Sequence, residues 1–221
     1  MIGDGDSMNI GTPQDQFIEQ FPTLVLHRRS PENGPLNAEL AALVRKLRDT
    51  TPNAAPGSST HGGFQTDTNF LYVDHPAVKT LQQQIHATVQ AYLPRYFRIE
   101  LTSAPKNVDA RLWGWAVLMR EGDYNTPHVH PEAHISGVYY VEVPQVIGQT
   151  KEPGPGGSIT FYDPRPGAEM YQIRRRRMQH NVVPQSGDAV VFPSYLRHAV
   201  FPYRGGGERI SVAFNARLTV E

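Results

Sequence analysis

Five residues in the second half of the chain have the types and the spacing to do chemistry together. His128 and His130 stand one residue apart in GDYNTPHVHPE. In extended backbone, residues i and i+2 face the same side, so two imidazoles can converge on one ion. Imidazole nitrogen suits iron, zinc, copper and nickel. The pair alone is a weak signal, because surface loops also carry such histidines. His198, in FPSYLRHAVFP, follows the strand-like run DAVVF. Its place, on the far side of the strand set from the first pair, is where barrel closure would bring in a third ligand. Arg209 and Ser211 come next, the arginine eleven residues after His198. Strand alternation puts both on one face, with Ile210 and Val212 on the other. A buried guanidinium needs an anion; it takes a carboxylate in a two-pronged fork, and a neighbouring hydroxyl can add a further bond. The implied chemistry is a metal ion beside a carboxylate pocket. Taken singly, Arg209 also reads as a surface arginine after the glycine-rich turn YRGGGE.

Short strands must position these groups. From Ala110 onward the pattern is one of brief apolar runs separated by turn residues: Arg111 to Arg120, Ile135 to Val143, Ser158 to Tyr162, Asp188 to Phe192 and Arg209 to Val220. The earlier part differs. Phe21 to His27 has strand length. Leu36, Leu40, Leu43, Val44 and Leu47 have the spacing of an amphipathic helix over Leu36 to Arg48, which Asn33 or Asn37 could cap. Val78, Leu81, Ile85, Val89 and Tyr92 predict a second helix over Pro76 to Tyr92, with Pro76 suited to its first turn. Many short strands after two helices predict a mainly β (α+β) fold, a jelly-roll or cupin-like barrel braced by N-terminal helices. The expected organisation is one domain over 1–221, with 1–16 a loose tail, 17–105 the bracing segment and 106–221 the metal-binding jelly-roll core.

Composition narrows the partners. The 221 residues hold 21 Lys and Arg against 21 Asp and Glu. A neutral chain gives no global electrostatic case for nucleic acid or an acidic membrane. The run Arg174 to Arg177 is the local exception, and a short charge run is more often a solvated face. Cysteine is absent, so any metal must sit on nitrogen and oxygen, and no disulfide is possible. No stretch approaches the ~20 apolar residues of a membrane span, and Met1 to Gln16 is polar. The expected location is cytoplasmic.

The order of HxH, a distal His and Arg-x-Ser resembles the iron(II)- and 2-oxoglutarate-dependent oxygenases, whose usual pattern begins HxD or HxE. FPTLVLH, GGFQT at 62 to 66, HVHPEAHISGVYYVEVP, GSITFYDPR, GDAVVFPSYLRH and ERISVAFN are similar to a family of uncharacterised oxygenases of that kind. The likeness spans most of 21 to 217 and is strongest over 122 to 217. It implies a double-stranded β-helix with iron(II) on His128 and His198. It implies 2-oxoglutarate chelating the metal through its 2-oxo acid end, with its far carboxylate on Arg209 and Ser211. Tyr139, or Tyr140 beside it, would add a hydroxyl contact. O2 and the cosubstrate, converted to succinate and CO2, would drive hydroxylation of a substrate.

The chain departs from that pattern at its third ligand. Either His130 replaces the carboxylate, or the motif slides and reads His130-Pro131-Glu132. The first is favoured, because two ligands must share one face and Pro131 disturbs the second. A second resemblance competes. Gly122, His128 and His130 match the opening of a cupin metal motif, with His134 where cupins carry Glu. It implies a metal enzyme without 2-oxoglutarate, or a non-catalytic metal-binding jelly roll. Arg209-x-Ser211 discriminates, since a cupin has no need of it.

Other residues read more plainly. Asp163-Pro164-Arg165 predicts a turn. Trp113 and Trp115 are expected in the core or against the helices. Asn125, Gln65 and Thr66 could reach substrate. His27, His61, His75, His86 and His180 have no usable partner spacing. Specificity lives in loops, and Thr50 to Gly63, Gln145 to Gly157 and Arg165 to Gln179 carry no recognisable code. A small molecule, an amino acid and a protein side chain all remain open as substrate. An uncovered sheet edge or the N-terminal helices could form a homodimer.

Overall fold

The computed structural model describes residues 20–30, 33–55, 58–103, 105–147, 156–170 and 178–220. The expected 1–16 tail and the Arg174 to Arg177 run lie outside them. Two helices precede the main strands: α1 (Gly34–Thr50) and α2 (Pro76–Glu100). Eleven strands are present among the described residues. In chain order these are β1 (Leu26–Arg28), β2 (Thr60–His61), β3 (Phe64–Gln65), β4 (Val108–Met119), β5 (Tyr124–His128), β6 (Ile135–Glu142), β7 (Ile159–Tyr162), β8 (Gln179–Val182), β9 (Ala189–Pro193), β10 (His198–Val200) and β11 (Arg209–Val220).

The strands form two antiparallel sheets, ordered β1-β9-β6-β11-β4-β3 and β2-β5-β10-β7-β8. The expected jelly roll is thus present as two sheets face to face, with no closed barrel among the described residues. Val138, Tyr140, Val190 and Phe192 of the larger sheet pack on Ile159, Phe161 and Val182 of the smaller. From β4 onward the chain passes repeatedly from one sheet to the other, so strands adjacent in sequence are rarely adjacent in space. β6 lies between β9 and β11 and is covered on both faces. Seven of its eight residues are buried, which explains its nearly unbroken apolar sequence.

The helices cover the outer face of the larger sheet. Leu40 and Val44 of α1 and Val78, Leu81, Ile85, Val89 and Tyr92 of α2 share one core with Leu112, Ala116, Leu118, Ile210, Val212 and Phe214. Asn33 is the N-cap of α1 but makes no side-chain cap bond; it serves the packing instead, bonding Gln84 and Tyr139. α2 starts on His75, whose Nδ1 accepts from the Ala77 amide at 3.2 Å. This helix runs past the expected end at Tyr92 and through Pro94 to Glu100. Proline removes one intrahelical bond there; burial of Leu93 and Phe97 offsets it. No described helix is long and apolar enough to cross a membrane.

One ionic cluster ties α1 to the sheet. Glu208 accepts from Arg45 at 2.8 Å, Arg48 at 2.9 Å and Arg120 at 2.9 Å, and Arg45 also reaches Glu142 at 2.7 Å. Glu208 immediately precedes Arg209, so the carboxylate nearest in sequence to that arginine is already taken by three others.

Candidate metal and carboxylate site

His128 ends β5, and His198 begins β10. The two strands are neighbours, and His128 and His198 are direct cross-strand partners. This corrects the expectation that His198 lies on the far side of the strand set: the repeated crossing between sheets makes the ligand strands adjacent. His130 follows β5 by two residues. Its amide donates to the Ser194 carbonyl at 3.0 Å, which pins the turn. The three rings lie 4.3 to 5.2 Å apart by centroid, and one nitrogen from each lies within 4.8 Å of the others. Three imidazoles therefore converge on one point.

Their orientation suits a cation. His128 Nδ1 lies 2.7 Å from the Thr126 carbonyl oxygen, and His198 Nδ1 lies 2.9 Å from that of Leu196. A carbonyl oxygen only accepts, so each Nδ1 carries the hydrogen and each Nε2 lone pair is left for a ligand. Such outer bonds fix the tautomer and ring direction of metal-binding histidines. Burial holds all three below the ordinary imidazole range, His130 at about 4 and His198 at about 3, with neighbouring His128 adding to both. They are neutral at neutral pH, as metal ligation requires.

Glu132 is not brought to this point. Its side chain is exposed, and its backbone carbonyl accepts twice from Arg217. His134 is also elsewhere, its Nδ1 accepting from the Leu218 amide at 3.0 Å. The described residues thus offer three nitrogens and no carboxylate.

A cavity of about 320 Å³ joins the histidines to Arg209, Ser211 and Tyr140. β11 pairs with β4 and β6, setting Ser211 opposite both Val117 and Tyr140. Arg209 is only 2% exposed. Its Nε donates to the Gly157 carbonyl at 3.0 Å, and one terminal nitrogen donates to Ser211 Oγ at 3.2 Å. Gly157 holds that carbonyl in place with φ +74, a conformation natural only to glycine. The guanidinium carbon lies 5.0 Å from the Tyr140 ring centre. No described carboxylate pairs with this buried cation. Two buried hydroxyls, Tyr140 Oη beside it and Ser158 Oγ next in sequence to Gly157, have no hydrogen-bond partner among the described residues. Burial pushes the Tyr140 phenol up to about 12, against the opposing pull of Arg209, so it stays a donor. A buried cation with idle donors around it is the complement of a carboxylate.

Tyr139 does not belong to this group. It pairs with Val212, on the helix side of the sheet, where its hydroxyl donates to Asn37 at 2.7 Å and accepts from Asn33 at 3.0 Å. The reason is the pleat: adjacent residues take opposite faces, and the register assigns the inner face to Tyr140. Trp115 is a second correction. It sits opposite Ala213 on the inner face, 5.8 Å from His130 by ring centroid, and so lines the cavity rather than the helix core.

Residues 114–215 match the family described as "Putative 2OG-Fe(II) oxygenase". That stretch contains the three histidines, Arg209, Ser211 and Tyr140. Over that stretch, a little under half of its length, the chain is similar to the 2OG-Fe(II) oxygenases. No curated protein matches it. Among solved structures, a prolyl-4-hydroxylase from Pseudomonas putida is similar with TM-score 0.58 and 19% identity, over 87% of this chain and 91% of that one. HygX from Streptomyces hygroscopicus, with nickel and 2-oxoglutarate bound, has TM-score 0.57 and 12% identity, over 88% and 83%. A Trichoplax adhaerens prolyl hydroxylase in complex with a hypoxia inducible factor peptide has 0.56 and 12%, over 87% and 83%. At such identities the likeness concerns the fold, which is a double-stranded β-helix. Members of the matched family are oxidoreductases that use Fe(II), 2-oxoglutarate and O2.

Proposed function

We propose that this protein is a 2OG-Fe(II) oxygenase that hydroxylates its substrate with Fe(II) held by His128, His130 and His198, and with 2-oxoglutarate anchored by Arg209, Ser211 and Tyr140. The carrying observation is Arg209, a buried cation with no carboxylate partner among the described residues, in one cavity with three converging imidazoles. Both sets fit the groups assigned to them. The histidines are neutral, and His128 and His198 hold their Nε2 lone pairs free. The guanidinium and the hydroxyls of Tyr140 and Ser158 lack the anion that their chemistry calls for. When bound, iron and 2-oxoglutarate supply the oxidising power, through O2 and decarboxylation of the cosubstrate to succinate.

The chain's own residues then have distinct tasks. The histidines leave positions on the ion open, as a catalytic centre requires. Arg209 and Ser211 bind one end of the cosubstrate and so set its other end toward the histidines. Phe192, Ile159 and Val200 line the same cavity and keep water from the reacting groups. No acid or base beyond these is needed. In this reading α1 and α2 brace the metal-binding core within one domain. The substrate is a small molecule or an amino-acid side chain, free or in a protein, and the compartment is the cytoplasm, whose reducing conditions keep iron ferrous.

The test is anaerobic titration of the Fe(II)-loaded protein with 2-oxoglutarate, following the weak visible charge-transfer band of a chelated 2-oxo acid. The expected band disappears in Arg209→Ala. Iron binding without a band in the wild type would mean that 2-oxoglutarate does not bind here.

A further inference from the structure

The outer wall of the same cavity carries a polar chain that neither the metal nor the carboxylate pocket uses. Asn125 Nδ2 donates to Thr60 Oγ1 at 2.9 Å, and Thr60 Oγ1 donates to Gln65 Oε1 at 2.9 Å. Thr60 is buried, whereas Asn125 and Gln65 are half-buried and line the cavity. A hydroxyl placed between two amides relays in one sense or the other. In either sense one amide keeps an unused carbonyl oxygen and the other an unused NH2 group. Among the described residues neither of these meets a further partner.

The wall is held firmly. Thr60 pairs with Asn125 between β2 and β5. The Gln65 amide donates to Asn53 Oδ1 at 2.9 Å, and the Thr126 amide donates to the Ser59 carbonyl at 3.0 Å. Asn125 lies three residues before His128 on the same strand. Trp115, whose ring centre lies 5.8 Å from that of His130, also lines the cavity. Among the described residues no carboxylate and no lysine lines the cavity, whose charged or basic groups are Arg209 and the three histidines. With Arg209 given to the cosubstrate, a charged group reaching this wall would lose its water and meet only uncharged polar partners.

We propose that Asn125 and Gln65 are specificity-determining residues that recognise an uncharged amide of the substrate. This rests on the function proposed above. An amide group has one acceptor and one donor side by side, the complement of a wall that offers one donor and one acceptor. The cavity must also admit 2-oxoglutarate, so only a group of side-chain size enters and the rest of the substrate stays outside. The two sources of such an amide are a peptide and a free carboxamide.

The experiment uses Ni(II)-loaded protein with saturating 2-oxoglutarate, without oxygen. Calorimetry first establishes that metal and 2-oxoglutarate bind. Failure there would sink the proposed function, not the recognition. Binding is then measured for N-acetyl amino-acid N-methylamides, simple primary carboxamides, the corresponding zwitterionic amino acids and methyl glycosides. The capped amino acids or the carboxamides should bind at least tenfold tighter than the zwitterions and glycosides, and their relative strength tells a peptide from a free amide. Asn125→Ala and Gln65→Ala should each weaken that binding about tenfold, as loss of one well-placed hydrogen bond does, while metal and 2-oxoglutarate affinities stay at the wild-type value. Preference for glycosides or zwitterions, or amide binding indifferent to both substitutions, would overturn the proposal.

Discussion

His128 and His198 face each other as cross-strand partners on neighbouring strands, with ring centres 4.3 Å apart. Seventy positions separate them in sequence, and their relation is made by β5 and β10 lying side by side. The proposed metal site is therefore as rigid as the ladder that carries it. It needs no loop closure to bring the two ligands together.

Removing one of these ligands should remove the metal. His198→Ala is expected to lower Ni(II) or Fe(II) affinity by at least 100-fold, since even outer partners of metal-bound histidines are worth roughly 10–100-fold. The thermal stabilisation by added metal, about 2.7 kcal/mol at a hundredfold excess over Kd, should vanish with it. Glu132→Gln should leave both unchanged. A large loss in the Glu132 variant would revive the slid ligand set.

Arg209→Ala should separate the two halves of the site. It is expected to weaken 2-oxoglutarate by one to two orders of magnitude, in line with about 1.5–3 kcal/mol for hydrogen bonds to a charged group. Metal content should stay near that of the wild type. Equal loss of metal would show that the arginine supports the fold instead.

The two adjacent tyrosines should give opposite results. Tyr140→Phe removes a buried hydroxyl that has no partner. The ligand-free protein should then melt a few degrees higher, because an unsatisfied buried donor costs about 1–3 kcal/mol. Its 2-oxoglutarate affinity should fall several-fold. Tyr139→Phe removes a bond to buried Asn37. It should lower the melting temperature and leave 2-oxoglutarate binding unchanged. Melting curves with and without 2-oxoglutarate check both, and reversed signs would reassign the tyrosines.

Acid should destabilise the metal-free protein. His130 and His198 titrate at about 4 and about 3 when folded, but near 6.5 when unfolded. Between those limits the unfolded chain binds more protons, so stability rises with pH across the window and is lost as pH falls through it. Melting temperature should fall steadily below about pH 6.5, and less steeply in His198→Gln. An equal slope in that variant would mean that other groups carry the effect.

Glu208→Gln should loosen α1 from the sheet. It breaks contacts to Arg45, Arg48 and Arg120 together. Exposed pairs are each worth about 0–1 kcal/mol, so a total near 1–2 kcal/mol and a drop of several degrees are expected. High salt should shrink the difference between variant and wild type. No change in melting temperature would remove the cluster from the account of stability.

Much of the site was legible because it depends on local period. The HxH pair, His198 and Arg209-x-Ser211 each stand on a strand or its end, and alternation by two places their side chains without knowledge of the rest. Both helices were visible in the spacing of Leu40, Val44, Val78 and Leu81. The short strands β2, β3, β5, β8 and β10 were not expected. Each has two to five residues, too few for a period to emerge, and they exist through pairing with distant partners. β5 even contains Pro127, which no propensity would favour in a strand.

What the amino-acid sequence determined by itself was the stock of chemistry: three imidazoles, a guanidinium and no thiol, on a chain of mainly β character. Tertiary structure alone decided which groups meet. Register on β6 chose Tyr140 over Tyr139, because a pleat gives adjacent residues opposite faces and only pairing with β11 says which face is inside. The turn after β5 brought the His130 ring, and not the Glu132 side chain, to the other two imidazoles, and strand pairing placed Trp115 in the cavity. Thr60, Gln65 and Asn125 were joined by the pairing of β2 with β5. Such contacts depend on long-range pairing, and a one-residue slip would turn every one of them to the other side.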